Sequence, residues 1–378
     1  MTGAAPSIAA MATCTTAVLT LLAGAEPVSP QPRDEEGRFV NLDPGERHGF
    51  GDFLQWQVVD RISGAKRSTP DRAPVPTVAA DAERLRTPPA PGEPARITWL
   101  GHSSFLVQLD GVSLLLDPVL MDRMGPLGII GRNVPPGLRP EQLPRIDAVL
   151  VSHNHYDHMD LPTLREVGAP VVAGLGNEEM LRREKLLVVP VRWWQAVRLK
   201  GVTVTFVPAQ HFSQRSTTDR DRTLWGGFVV EGAAVTLYHA GDTGYFSGFK
   251  EIGRRFPGID AALLPIGAYD PRWFMKPVHV DPEEAVQAFE DLGARTLVAM
   301  HWGTFKQADE PLDEPPVRLE AERARRGLAA ERVRLLAVGE TMAVARPAAP
   351  PGVSAATTAG TAAGPAGAVA DGPSSGTR

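Results

Sequence analysis

His153-Asn154-His155-Tyr156-Asp157-His158 places four metal-competent side chains in six positions. The stretch follows Ile146–Val151, an apolar run broken only by Asp147 and of the kind found in a strand buried on both faces. Strand ends are where an α/β sheet presents ligand-binding side chains, because the backbone is fixed there while the side chain leaves the core. His153 and His155 are two apart, so an extended segment turns both to one side. Asp157 and His158 follow as the chain bends, and can face a second point nearby. The alternative, a solvated polar turn, fits poorly with a chain that has only nine histidines in 378 residues.

The pattern recurs outward from this cluster. His211 follows the expected strand Val202–Val207, Asp242 follows Ala234–Tyr238, and His301 follows Thr296–Met300. Gly241 and Gly244 flank Asp242 and permit positive φ and close backbone approach. The single cysteine, Cys14, excludes an intramolecular disulfide framework and a Cys-rich zinc or iron–sulfur site. Any metal must therefore be held by imidazoles and carboxylates. With 39 Lys+Arg against 44 Asp+Glu and a formal charge of −5, nothing overall favours nucleic acid, and no basic tract is visible.

Composition divides the chain. Residues 1–25 read as a signal peptide, with Ala23-Gly24-Ala25 as a small-x-small cleavage site, or as a disordered leader lacking the usual basic start. Cleavage implies export to the periplasm or cell envelope; otherwise a cytoplasmic or membrane-associated location is expected. The apolar part is too short and too rich in threonine to span a membrane, which takes about 20 mostly apolar residues. Residues 26–95 form a Pro- and charge-rich arm with an apolar island at 49–56. Residues 96–346 form the main α/β domain, and residues 347–378 an Ala/Pro/Gly-rich tail that reads as disordered. Further strands are expected at Ile97–Leu100, Phe105–Leu109, Val112–Leu116, Phe228–Val230 and Ala261–Pro265. Asp110-Gly111 is a hairpin turn signal, and helices fit Gly248–Phe256, Pro282–Leu292 and Pro316–Arg326.

The His-x-His-x-Asp-His cluster, with His211, Asp242 and His301 following in order, resembles the metallo-β-lactamase fold superfamily. Thr98-Trp99-Leu100-Gly101-His102-Ser103, Leu116-Asp117-Pro118, Gly241 to Tyr245, Pro265 to Tyr269, Pro271 to Met275, His279 to Ala285 and His301 to Phe305 are similar to the N-acylphosphatidylethanolamine-hydrolysing phospholipase D family. So is Gly37-Arg38-Phe39-Val40-Asn41 in the arm. The resemblance implies a four-layer αβ/βα sandwich, with two mixed sheets face to face, helices outside, and two zinc ions at one edge. It implies that His153, His155 and His211 hold one ion, that Asp157, His158 and His301 hold the other, and that Asp242 bridges them. Two such cations lower the pKa of a shared water toward about 7, making hydroxide to attack a phosphodiester. The implied activity is hydrolysis of N-acylphosphatidylethanolamine to phosphatidic acid and N-acylethanolamine, with Asp242 and His279 catalytic.

The remaining residues carry alternatives. His279 either positions phosphate or protonates the leaving group, or else packs at the start of the helix after Asp281. Asp117 is expected to orient a metal ligand by a hydrogen bond; His102 does likewise or satisfies a turn. Arg215 and Arg272 are candidates for phosphate, or solvated surface charges. Trp193-Trp194 and Trp273-Phe274 line an acyl groove or fill the core. His239 reads as structural, and His48 as exposed and unrelated. A lipid substrate implies peripheral membrane contact through a few apolar residues, and a homodimer is compatible with the sequence. Other readings are a lactonase or soluble-substrate phosphodiesterase on the same fold, or a non-catalytic metal-bound sensing or envelope protein.

Overall fold

Side-chain alternation along the first strands explains the layering. Trp99, Phe105, Val107, Leu114, Leu116 and Leu150 turn to one face, into a core shared with Phe206, Phe228, Tyr238 and Leu263. Their neighbours Leu100, Leu106, Leu115, Val149 and Val151 turn to the other face, against Leu164 and Leu181 of two short helices. A sheet apolar on both faces needs a partner on each side. One is a second sheet and the other a helical layer.

The computed structural model describes residues 31–346 and the strand Leu19–Leu21. The expected tail, 347–378, and most of the leader lie outside the described residues. The first sheet has seven strands in the order Thr341–Val344, Ala95–Gly101, Ser104–Leu109, Val112–Leu116, Ala148–Val151, Val171–Gly174 and Val188–Val191. The second has eight: Leu19–Leu21, Ala196–Leu199, Val202–Val207, Gly227–Glu231, Thr236–His239, Ala261–Pro265, Thr296–Met300 and Val333–Arg334. Each sheet is antiparallel in its first part and parallel in its last, the change falling between Val112–Leu116 and Ala148–Val151 and between Thr236–His239 and Ala261–Pro265. The two sheets are thus built alike, a duplication of topology that is not visible as a repeat in the sequence.

Helices Leu161–Val167 and Glu178–Arg183 cover the first sheet, and Gly248–Arg255 and Pro282–Asp291 the second. The last of these starts where its sequence says it should. Asp281 accepts from the Glu284 N–H at 2.9 Å, the Glu284 side chain answers the Asp281 N–H, and Pro282 fills the first turn. The arm is helical over Phe50–Ser63, with a π-helical stretch at Gln55–Val59, and buries Phe39, Trp56, Val75 and Leu85. Among the described residues no helix is long and apolar enough to cross a membrane.

Candidate metal centre

Every residue of the sequence-derived ligand set leaves a strand at the same edge of the sandwich, and Asp117 anchors the arrangement beneath. Its carboxylate is fully buried. It accepts from the Ser152 N–H and Oγ–H, each at 2.7 Å, from His158 Nδ1 at 2.8 Å and from His239 Nε2 at 2.9 Å. Because the Ser152 hydroxyl donates to Asp117, it can only accept from His153 Nδ1, 2.9 Å away. His211 Nδ1 faces the Val278 carbonyl at 2.9 Å, and a carbonyl only accepts. The Nδ1 atoms of His153, His158 and His211 therefore carry the protons. Their Nε2 lone pairs point into the centre, the orientation a metal ligand needs.

Those lone pairs converge. His155 Nδ1 lies 2.8 Å from His153 Nε2 and 3.2 Å from His211 Nε2. Two nitrogens bound to one tetrahedral zinc at about 2.0–2.1 Å sit roughly 3.3 Å apart, so this trio has the spacing of a coordination face. Burial, reinforced by neighbouring imidazoles, holds His153 well below the usual histidine range. Burial also pulls His155 down to about 4 and His211 to about 3. All three are neutral at pH 7 and able to coordinate.

The second group lies alongside. His158 Nε2 and His301 Nε2 are 3.2 Å and 3.1 Å from Asp242 Oδ2, and 3.6 Å and 3.4 Å from Asp157 Oδ2. Donor atoms of Asp157, His158, His301 and His102 fall within 4.8 Å of one another, while Asp242 groups with His153 and His158 and also with His211 and His279. Asp242 thus stands between the two sets. Buried polar atoms are normally paired, yet His158 Nε2, His301 Nε2 and Asp242 Oδ1 have no hydrogen-bond partner. A cation would complete them, and the all-nitrogen-and-oxygen donor set suits zinc. Burial works against charge on His301, but Asp242 and Asp157 outweigh it and raise the ring to about 9.

The turns of the centre carry strained backbone. His102, Asp117 and His301 all have positive φ, at 54°, 40° and 61°. Gly241 has φ 62°, and a Cβ there would meet the Ser152 Cβ at 2.6 Å.

The other candidates separate. His102 Nε2 lies 3.0 Å from Asp157 Oδ2, which also accepts from Gln307 Nε2 at 2.7 Å. His279 faces the centre, its unpartnered Nδ1 3.9 Å from Asp242 Oδ2. Arg215 and Arg272 donate to partners within the protein. Arg215 Nη1 donates to the Asn154 and Met159 carbonyls, each at 2.8 Å, and braces the histidine loop. Arg272 donates to the His279 carbonyl at 2.8 Å and to Glu284 at 2.6 Å. Their hydrogen-bonding capacity goes to shaping loops. Trp193 is buried in the sandwich core and belongs to no groove, whereas Phe274 lines the cleft. His48 is not unrelated: it is half-buried, stacks on Phe274 at 5.0 Å between ring centroids and lines the same cleft. Sequence reasoning missed Ser152, Gln307 and His48, which have no local pattern to mark them.

The centre opens into a cleft of about 710 Å³. His155, Asp157, Asp242 and His279 form its floor, and Phe50, Phe53, Trp56, Met124, Phe212 and Phe274 form much of its wall.

A fold of two mixed sheets with histidines and aspartates at one edge defines a class, and comparison with known proteins agrees. Residues 113–302 match the model of the β-lactamase superfamily domain, about half the chain. The chain belongs to the β-lactamase superfamily and, within it, to the metal-dependent hydrolases. An uncharacterized protein of Mycobacterium tuberculosis is 38% identical over 308 residues, spanning 77% of this chain and 79% of that one. An N-acyl-phosphatidylethanolamine-hydrolyzing phospholipase D of Caenorhabditis elegans is 37% identical over 226 residues, 55% of this chain and 64% of that one. Among solved structures, a metallo hydrolase of the archaeon Ignicoccus hospitalis superposes with a TM-score of 0.51 at 25% identity, covering 66% of this chain and 97% of that one.

Proposed function

We propose that this hydrolase cleaves the phosphodiester of N-acylphosphatidylethanolamine in the phospholipase D sense, releasing phosphatidic acid and an N-acylethanolamine, with two zinc ions at the centre. The observation that carries this reading is the cleft, whose polar floor of ligand-type residues lies under an aromatic wall suited to acyl chains. The likeness to the nematode phospholipase D supports it.

In this reading His153, His155 and His211 hold one ion, Asp157, His158 and His301 the other, and Asp242 both. Bound there, two divalent cations would lower the pKa of a shared water toward about 7 and offset charge on the phosphoryl oxygens. The protein's own residues do the rest. Asp117, through Ser152 and His158, fixes which imidazole nitrogen faces inward. Burial keeps His279 neutral at pH 7, its pKa near 3, so the ring contributes as a neutral imidazole, donating an N–H to a phosphoryl oxygen.

The substrate is a membrane lipid, and the cleft is flanked by apolar side chains that would face a bilayer. On the arm, Phe50 is 74% and Ile62 82% exposed; across the cleft, Leu127 is fully exposed beside Ile129. No family of basic residues is required for this contact, since a few buried apolar side chains suffice for reversible association. Leu127→Asp is expected to weaken sedimentation with lipid vesicles while leaving turnover of a soluble phosphodiester unchanged.

The test of the activity is an assay of the zinc-loaded protein on N-acylphosphatidylethanolamine, a soluble phosphodiester and a lactone. Release of N-acylethanolamine is expected. Turnover of the lactone without the lipid overturns the proposal.

A further inference from the structure

The arm motif Gly37-Arg38-Phe39-Val40-Asn41 lies far in sequence from every ligand, yet the structure ties it to one of them. Asn41 Nδ2 donates to the His211 carbonyl at 2.9 Å, and Asn41 Oδ1 accepts from the His211 N–H at 3.1 Å. The same oxygen accepts from Trp225 Nε1 at 2.9 Å. One amide therefore clamps both backbone groups of His211, and a buried indole fixes the amide in turn. Phe39 holds the segment in place: it is fully buried, and its N–H donates to the Asp221 carbonyl at 2.9 Å.

The clamp continues toward the other carboxylate ligand. Gln210 Nε2 donates to the Asp43 carbonyl at 3.1 Å, and Asp43 accepts from the Ser247 N–H and Oγ–H, each at 2.7 Å. The Gln210 N–H donates to Thr243 Oγ1 at 3.0 Å, and the Gln210 carbonyl accepts from the Gly244 N–H at 2.7 Å. Residues 39–43 thus bind the loop bearing His211, and through it the loop bearing Asp242. The core indole of Trp225 adds a bond to the Ala209 carbonyl at 3.1 Å, but His211 lies past the end of its strand and its own N–H and carbonyl are held by Asn41.

We propose that Asn41 is a positioning residue of the metal centre: by holding the His211 backbone it sets the reach of His211 Nε2 toward His155 and Asp242, so the arm is a working part of the catalytic unit. The inference rests on the assignment of His211 as a metal ligand. Groups that orient a ligand without touching the metal typically change metal affinity by about 10–100-fold. An aspartate at this position keeps the two accepted hydrogen bonds but loses the donated one and sets an oxygen against the His211 carbonyl, so it disrupts one side of the clamp where alanine removes both.

The experiment measures zinc affinity by chelator competition, together with the visible absorption of the cobalt-loaded full chain, for wild type, Asn41→Ala, Asn41→Asp, His155→Ala and the remote arm variant Arg61→Ala. Asn41→Ala is expected to lose roughly 10–100-fold in affinity and to alter the cobalt spectrum, Asn41→Asp to lose less, and Arg61→Ala to match wild type. Wild-type affinity and spectrum in a folded Asn41→Ala overturn the proposal, as does a lowered melting temperature with both unchanged. If Asn41→Ala does not fold, wild-type affinity and spectrum in Asn41→Asp overturn it equally. Wild-type binding by His155→Ala as well places the failure in the metal assignment itself.

Discussion

At the scale of single residues, the centre depends on which nitrogen of each imidazole is protonated, and Asp117 decides that. It is buried, holds four hydrogen bonds from Ser152, His158 and His239, and lies well below the usual carboxylate range: burial opposes its charge, but His158 and His239 more than offset this. Asp117→Asn replaces an acceptor with a group that also donates, and is expected to weaken zinc binding by about 10–100-fold, read by chelator competition. His279 behaves differently. It faces the cleft beside His211 and Asp242; in the proposed reading it handles substrate rather than metal, so His279→Ala is expected to lower kcat with the zinc content unchanged, measured by steady-state kinetics beside elemental analysis. A drop in zinc content would move His279 from substrate handling to metal binding.

At the scale of elements, the site is a set of strand ends whose turns are constrained. Gly241 shows this most sharply, having both positive φ and no room for a Cβ against Ser152. Gly241→Ala is expected to destabilise the fold by more than about 1 kcal/mol, read from urea unfolding midpoints. Strands with β-branched alternation or a continuous apolar run were legible in the sequence, as with Val202–Val207 and Ala261–Pro265 respectively, which occur with the expected bounds. So was the helix after Asp281, through its cap. Val171–Gly174 and Val188–Val191 were not legible, being four residues each with no alternation or turn signature to separate them from loop. The arm helix was hidden for another reason. Its apolar side chains are mostly exposed, so no core-facing stripe marks it. The ligand-type residues stood out because histidines two apart after a buried strand are a local pattern. Asn41, Gln307 and His48 act across long sequence separations, and only the folded chain brings them to the site.

At the scale of the molecule, one loop of ligand-type residues from the first sheet and three from the second meet at one edge of the sandwich, and the buried charge there ties stability to pH. In the metal-free protein, His155 and His211 have pKa values near 4 and 3, below the unfolded value of about 6.5. Their contribution is complete above about pH 6.5 and is lost as pH falls toward those values. His301, raised to about 9, contributes fully below about 6.5 and loses its contribution as pH rises through 9. Chelator-treated protein is therefore expected to be most stable near neutrality, with lower urea midpoints at about pH 5 and about pH 9. A midpoint flat across that range would contradict the burial and pairing of these groups.

The most direct measurement of the central claim is the zinc content of the purified chain by elemental analysis, beside that of His155→Ala. The account predicts two zinc ions per wild-type chain and fewer in the variant. A wild-type chain that binds no zinc after exposure to it, or a His155→Ala chain that keeps the full complement, would contradict it.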